Sequence, residues 1–416
     1  MFDLIDALTV AGQVSSPVAL SEQKPFRRKF ASVYDGLENG EMDMDEILSL
    51  LPESVPADSE TIAGYAVYAV DATANEHEAA ETLPDRGVLK SSKAEPRRYG
   101  HKYSWLVRLI QFGSSWVAPV DVERISTEVT ETQLAAVQVR ELDLRDRQAK
   151  VIVADSRYEE RHFLGIFEHF QHTFALIRLH GNRVLYETPK KKAKGRRGAP
   201  RKHGKPFKLN QAHRAADQRQ IFQLGKQTVC VQVWRKLHFK KLATLIGTLI
   251  QVEFLKADGT PRYQRPMWLF WTGSQEVALS DLARMYLWRF AIEHLFRFLK
   301  QHMGLGSNRS PNLVSAQQWV WLCTLAYWQL LLIRHRVKAY RPAWYPGKPA
   351  AAVQLTPYQV QRSALAFIGG LDTPAASPRP AGKGTGRLKN YHPLPRMRYP
   401  VVFKSRKVPI SPMIRQ

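Results

Sequence analysis

Tyr286, Arg289, Glu293 and Lys300 stand at offsets of 0, 3, 7 and 14 in a stretch, DLARMYLWRFAIEHLFRFLKQHMGLG, whose apolar residues recur at helical spacing. On a continuous helix turning about 100° per residue, the four fall within roughly a 60° arc, so one face carries all of them. The chemistry of such a face is phosphate handling. Arg grips a phosphate with a bidentate fork, Lys supplies a point charge, and a carboxylate is a hard oxygen donor for a divalent cation. Taken singly, each residue reads blandly: Tyr286 as core, Arg289 as a salt-bridge partner for Glu293, Lys300 as a solvated charge. The combined spacing singles them out.

Two further acids close apolar runs. Asp71 ends the β-rich AGYAVYAVDAT, and Asp155 ends KVIVADSRY. Asp71 can instead be a strand-terminal Asp capping a turn. Asp71 competes with Glu76, Glu78, Glu81 and Asp85, and Asp155 with Asp143 and Asp146 on the preceding helix. The elements around them read as strand, strand, strand, helix, strand, helix, strand. HKYSWLVRLIQF and SSWVAPVDV are the second and third strands, TEVTETQLAAVQVRELDLRDRQ is a capped helix, EERHFLGIFEHFQ is an amphipathic helix, and TFALIRL is a buried strand. QTVCVQVWRKLHF, TLIGTLIQVEFL and PMWLFWTG then form a β-rich insertion before the helix that carries Glu293. The expected class is α/β: an RNase H-like mixed five-stranded sheet flanked by helices and interrupted by that insertion.

On the spacing Tyr, two residues, Arg, three, Glu, six, Lys, the chain resembles the DDE transposases of bacterial insertion sequences. The resemblance covers roughly residues 60 to 340. It implies that Glu293 is the third metal ligand, that Asp71 and Asp155 are the first two, and that two Mg²⁺ ions, with Mn²⁺ as substitute, occupy each active site. Asp71 would bridge the pair. It also implies a homodimer on paired DNA ends, cutting element ends and joining 3′-hydroxyls to target DNA. Two metals stabilise the attacking and leaving oxygens of an in-line phosphoryl transfer. Within this scheme Tyr286, Arg289 and Lys300 position DNA rather than bind metal. Trp268, or Trp271, is a candidate to stack on an extruded base, against the plainer reading of a core Trp in a strand.

Composition agrees with a polyanionic partner. The chain of 416 residues has 61 Lys and Arg against 37 Asp and Glu, a net charge of +24. Residues 1 to 60 hold 4 basic and 12 acidic side chains, leaving 57 against 25 for the rest. An acidic helical lead-in domain over 1–60 is therefore expected to leave DNA alone, except through Lys24 to Lys29. The run 190–208 holds ten Lys or Arg and no acid, broken by Gly and Pro. It reads as a basic loop in which Lys190, Lys191, Lys192, Arg196, Arg197, Arg201 and Lys202 track double-stranded DNA without reading sequence. The expected domains continue with a core in two parts, 61–185 and 276–340, the loop and insertion over 186–275, and a basic Pro- and Gly-rich tail over 341–416 that is partly disordered without DNA.

Cys230 and Cys323 are too few for a disulfide framework, and the N-terminus lacks the basic and apolar parts of a signal peptide. Trp319 to Ile333, the most apolar run, is shorter than a bilayer requires and reads as a buried helix. A bacterial cytoplasmic, nucleoid-associated protein without a membrane partner is expected. His162, His169, His172 and His180 lack a ligand pattern and read as structural. Two other functions compete: an RNase H-like nuclease that cuts without joining, and a catalytically dead, transposase-derived DNA-binding protein.

Overall fold

A computed structural model describes residues 1–92, 95–189, 199, 201–211, 214–338, 354–368, 389–390, 392 and 394–403. In chain order the elements are α1 (Phe2–Val10), α2 (Ala31–Asn39), α3 (Met44–Glu53), β1 (Thr61–Ile62), β2 (Tyr65–Glu76), β3 (Gly87–Ser92), β4 (Glu95–Leu109), β5 (Val117–Ile125), α4 (Glu131–Arg145), β6 (Lys150–Ala154), α5 (Arg161–Leu164) and β7 (Thr173–Leu179). The insertion supplies β8 (Val184–Glu187), β9 (Pro206–Lys208), β10 (Gln218–Leu224), β11 (Gln227–Phe239), β12 (Leu242–Leu255) and β13 (Met267–Trp271). Then come α6 (Leu279–Trp288), α7 (Ala291–Gln301), α8 (Leu313–Ile333) and α9 (Pro357–Ile368). The chain divides into two compact units. One comprises 1–59, 72–130 and 291–416, and the other 60–71 and 131–290, so β2 starts in the second and ends in the first.

In the second unit, three strands run parallel. β6 pairs with β2 through Ala66↔Lys150 to Ala69↔Val153, and with β7 through Lys150↔Thr173 to Ala154↔Ile177. Every residue of KVIVA is buried, as expected of a parallel strand covered on both faces. The insertion is continuous with this sheet: β13 pairs antiparallel with β7, and the order continues β13-β12-β11-β8-β9, with β10 also on β11. The five expected strands are thus extended by those of the insertion, because β13 returns along the open edge of β7. Helix α6 lies against β6, β7, β10 and β11. Trp271 anchors this region, fully buried, with Tyr65 at 6.0 Å and Phe174 at 5.9 Å between ring centroids and its indole N–H donated to the Ser274 carbonyl at 2.8 Å.

In the first unit β3 and β5 both pair antiparallel with β4. β5 meets α8, whose buried face includes Trp319, Trp321, Tyr327 and Trp328. The Trp328 indole donates to the Pro119 carbonyl at 2.7 Å. The apolar run is therefore a core helix, and no helix among the described residues is long and apolar enough to cross a membrane.

Three expectations change. Residues 1–59 are not a separate lead-in domain: α1 and α2 pack on α8, because their apolar faces need a partner that nine-residue helices cannot supply alone. Arg27, in the segment held open for DNA, is instead paired with the buried Asp3. EERHFLGIFEHFQ forms only the four-residue α5 and a short 3₁₀ turn over Gly165–Glu168, Gly165 being a weak helix former. Part of the tail is ordered. Residues 394–403 include Tyr399 and Val402, whose N–H groups donate to the carbonyls of Glu81 and Arg86 at 2.8 Å each, and Arg398 pairs with Glu81 at 3.0 Å.

This unit also contains a buried histidine pair, His77 and His101, with ring centroids 5.5 Å apart. Burial lowers the pKa of His77 to about 4, and the positive charges of His101 and Arg86 act in the same direction. An unfolded His titrates near 6.5, so between the two values the unfolded chain binds the proton that the fold refuses. Stability is therefore complete above pH 6.5 and falls as pH drops towards 4, by roughly 3 kcal/mol. Melting curves of the wild type and His77→Asn across this window are expected to diverge, the wild type losing more. Parallel curves would remove His77 as the cause.

Candidate active site

Asp71 and Asp155 are placed by strand register. The last paired residues of β2 and β6 are Ala69 and Val153, and each Asp stands two residues further along its own strand direction. Period-two alternation puts each on the face of its partner two residues back, so the two acids stand at matched positions, Asp155 just after β6 but Asp71 inside β2, which runs on to Glu76 rather than ending at the acid as expected. Asp155 also caps the short 3₁₀ turn Ser156–Tyr158, its Oδ1 accepting the Arg157 N–H at 2.8 Å. This capping role was not expected at Asp155. It occupies one carboxylate oxygen and is compatible with a second task for the group. Asp71 accepts from the Arg289 guanidinium at 3.2 Å.

Five of the competing acids, Glu76, Glu81, Asp85, Asp143 and Asp146, have other work. Glu76 pairs with Arg98 at 2.7 Å, Glu81 with Arg398, and Asp85 with Arg124 and Thr127. Asp146 holds the buried Lys150 at 3.5 Å, and Asp143 accepts from the Thr173 hydroxyl at 2.5 Å.

Three charged groups around the Asp pair, Glu131, Arg157 and Arg178, were missed by sequence reasoning. Glu131, in the first turn of α4, accepts from the buried Tyr158 hydroxyl at 3.2 Å and from Arg157 at 3.4 Å. The charge of Glu131 raises the Arg157 pKa most, and Asp155 and Asp71 add to it. Tyr158 is pushed well up by burial and then by Glu131, Asp71 and Asp155. The third, Arg178 on β7, acts with Arg289 and Asp155 on Tyr286, whose pKa is raised mainly by burial while the two cations pull it down. The usable signals were the acid in the helix-capping pattern of TEVTETQL and the lone cation in the buried strand TFALIRL.

The helix expected to carry the four spaced residues is interrupted. α6 ends at Trp288, Arg289 and Phe290 make i→i+3 bonds to Tyr286 and Leu287, and α7 starts at Ala291. The 60° arc over one continuous helix therefore does not hold. Tyr286 and Arg289 belong to the second unit with both Asp residues, whereas Glu293 and Lys300 lie on α7 in the first. Tyr286 is a core residue with 4% exposure, and the Arg289 guanidinium lies 6.0 Å from its ring centroid. Glu293 is half-buried in the first turn of α7. Partial burial lowers the pKa of Lys300, with Glu76 acting in the opposite sense.

Trp268 is buried beside Trp234, with centroids 5.6 Å apart. It lines a cavity of about 810 Å³ together with Ser156, Arg178, His180, Asn182 and Arg265. Of the basic loop, Arg201 and Lys202 are exposed, while Lys190, Lys191, Lys192, Arg196 and Arg197 lie outside the described residues. Among the described residues no group of three or more His, Cys, Asp or Glu stands together as a metal cluster. The chemistry of the donor set still fits a hard cation, since Asp71 and Asp155 offer carboxylate oxygens from matched positions on neighbouring parallel strands.

A family model described as the transposase DDE domain matches residues 63–329, which takes in both Asp residues, the insertion, Tyr286, Arg289, Glu293 and Lys300. This chain belongs to the DDE transposase family. The matched DDE domain includes parts of both compact units and most of α8. No curated protein matches. A solved structure, the piggyBac transposase synaptic complex with hairpin DNA, is similar to this DDE transposase family member at 11% identity and a TM-score of 0.37, covering 76% of this chain and 55% of that one.

Proposed function

We propose that the chain is a transposase that cuts DNA at the ends of an insertion sequence and joins the 3′-hydroxyl ends to target DNA, with Asp71, Asp155 and Glu293 as its acids. The observation that carries this reading is the matched placement of Asp71 and Asp155, each two residues past the last pair that β2 and β6 share, inside the region that matches the DDE domain. Glu293 enters by its place in the Tyr, Arg, Glu, Lys spacing. Two divalent ions, Mg²⁺ or Mn²⁺, would be held by these carboxylates and would activate the nucleophile and stabilise charge on the transferred phosphoryl group.

The residues of the chain do the rest. Arg289 bonds Asp71 in the DNA-free protein and is in reach of the same locale when a phosphate arrives, so it can exchange the acid for the phosphate. Arg157 and Arg178 add fixed positive charge around Asp155. Lys300, Arg201, Lys202 and the rest of the basic run neutralise backbone phosphates, which makes binding fall steeply with salt. Trp268, on the wall of the cavity beside Ser156, is the base-stacking candidate. Two copies act on paired ends in the bacterial cytoplasm.

A strand-transfer assay with labelled element ends and Mn²⁺ separates the alternatives. Joined products are expected. Cut DNA with no joined product would identify a plain nuclease, and a gel shift without nicking would identify a DNA-binding protein that has lost catalysis.

A further inference from the structure

Glu159 follows the turn after Asp155 and is almost wholly buried, with 1% of its side chain exposed. A carboxylate so deeply buried must be well satisfied to persist. Its oxygens accept from the Nδ1 of His180, from the backbone N–H of His180 at 3.0 Å and from Arg183 at 2.6 Å. All three donors lie in or beside the turn joining β7 to β8. The contact to Glu159 requires an imidazole proton on Nδ1. Nε2, on the other side of the ring, lies 3.4 Å from the Ser156 hydroxyl oxygen, within hydrogen-bond distance. Ser156 is the residue immediately after Asp155. A chain of contacts thus runs from the buried Glu159 through His180 to the peptide that bears the Asp155 side chain.

We propose that Glu159 and His180 are positioning residues that fix the Asp155 carboxylate through Ser156. A three-residue 3₁₀ turn holds its own geometry poorly. The backbone of this one makes an N–H bond from Tyr158 to the Asp155 carbonyl at 3.2 Å. A ligating carboxylate must sit within about 0.5 Å of its working position, and residues behind it commonly set that position. The clamp ties the turn to the rigid end of β7, whose pairing with β6 fixes the strand before Asp155. His180 is thereby given a task that its lack of a ligand pattern does not disclose.

The inference rests on the reading of Asp155 as a catalytic acid, so its test uses two readouts. Ser156→Ala and His180→Ala are each expected to slow DNA cutting at saturating DNA about tenfold with unchanged DNA affinity. The double variant should be no slower than either single one, because both changes break one linkage. Ser156→Thr, which keeps the hydroxyl, should restore the rate. In parallel, amide exchange at Arg157 and Tyr158 should quicken about tenfold in both single variants without DNA or metal. Unchanged cutting, or two effects that multiply to about a hundredfold, would overturn the proposal, as would unchanged exchange. If the wild type binds DNA and never cuts it, the reading of Asp155 fails instead, a result distinguished by quickened exchange in the variants. Glu159→Gln is a poorer first choice because it leaves Arg183 and His180 against an uncharged buried group, although it should show the same slowing if it folds.

Discussion

Replacing Asp155 by asparagine is expected to lower DNA cutting by about a thousandfold or more while leaving DNA binding unchanged. A thousandfold corresponds to about 4 kcal/mol of transition-state stabilisation, within the range that a metal-holding carboxylate supplies. Asparagine is the sharper substitution than alanine at this position. Its amide oxygen can still accept the Arg157 N–H that Asp155 now accepts at 2.8 Å, so the turn keeps a cap whose loss alone costs about 0.5–2 kcal/mol. Asp71→Ala and Glu293→Ala should show the same loss. Asp71→Ala also removes the acid 3.2 Å from Arg289, so a small gain in DNA affinity is expected beside the lost activity. Cutting assays paired with gel shifts at fixed salt make the comparison, and cutting that survives Asp71→Ala would move the first acid elsewhere.

The second large effect is on stability. Trp271→Ala should destabilise the second unit by about 3–5 kcal/mol, the usual range for emptying a large aromatic site in a core. Trp271 is fully buried, stands edge-on to Tyr65 at the start of β2, and lies 5.9 Å from Phe174 at the start of β7. It therefore ties together the two strands that flank β6, and through them the frame that holds Asp71 and Asp155. Denaturant unfolding with a fluorescence probe measures the loss. A change below about 1 kcal/mol would mean that the site collapses without cost and that Trp271 is not the anchor.

Much of the core could be read from the sequence because two of its parallel strands, β6 and β7, are short apolar runs bounded by an acid or a turn, whereas β2 runs on past Asp71 to Glu76. KVIVADSRY yielded both a strand and its terminal Asp for that reason. The insertion was visible as a group of strands. Its fusion with β7 was not, because pairing between residues as far apart as Leu179 and Trp268 leaves no local mark. The break after Trp288 was missed for a different reason. Arg289 and Phe290 are adequate helix formers, so periodicity runs through them unbroken, and only tighter i→i+3 bonding reveals the turn. The spacing of Tyr286, Arg289, Glu293 and Lys300 thus implied one continuous helix where the chain forms two. Glu131 escaped attention because it was accounted for as a helix-start residue, and Glu159 because a single buried acid among EE pairs has no periodic signature.

The acidic N-terminal segment shows the limit of charge as a guide. Its net charge discouraged a DNA role and suggested independence, whereas α1 and α2 use their apolar residues against α8. Charge describes the exposed face of such helices, and burial is decided by the other one.

The most direct test of the central claim is a change of metal preference at Asp155. A cysteine there offers a soft sulfur donor that Mg²⁺ accepts poorly and Mn²⁺ tolerates better. Asp155→Cys is expected to cut labelled DNA ends negligibly in Mg²⁺ and to regain cutting in Mn²⁺, with DNA affinity equal in both. Cutting by Asp155→Cys in Mg²⁺ at the wild-type rate would contradict a ligand role for Asp155.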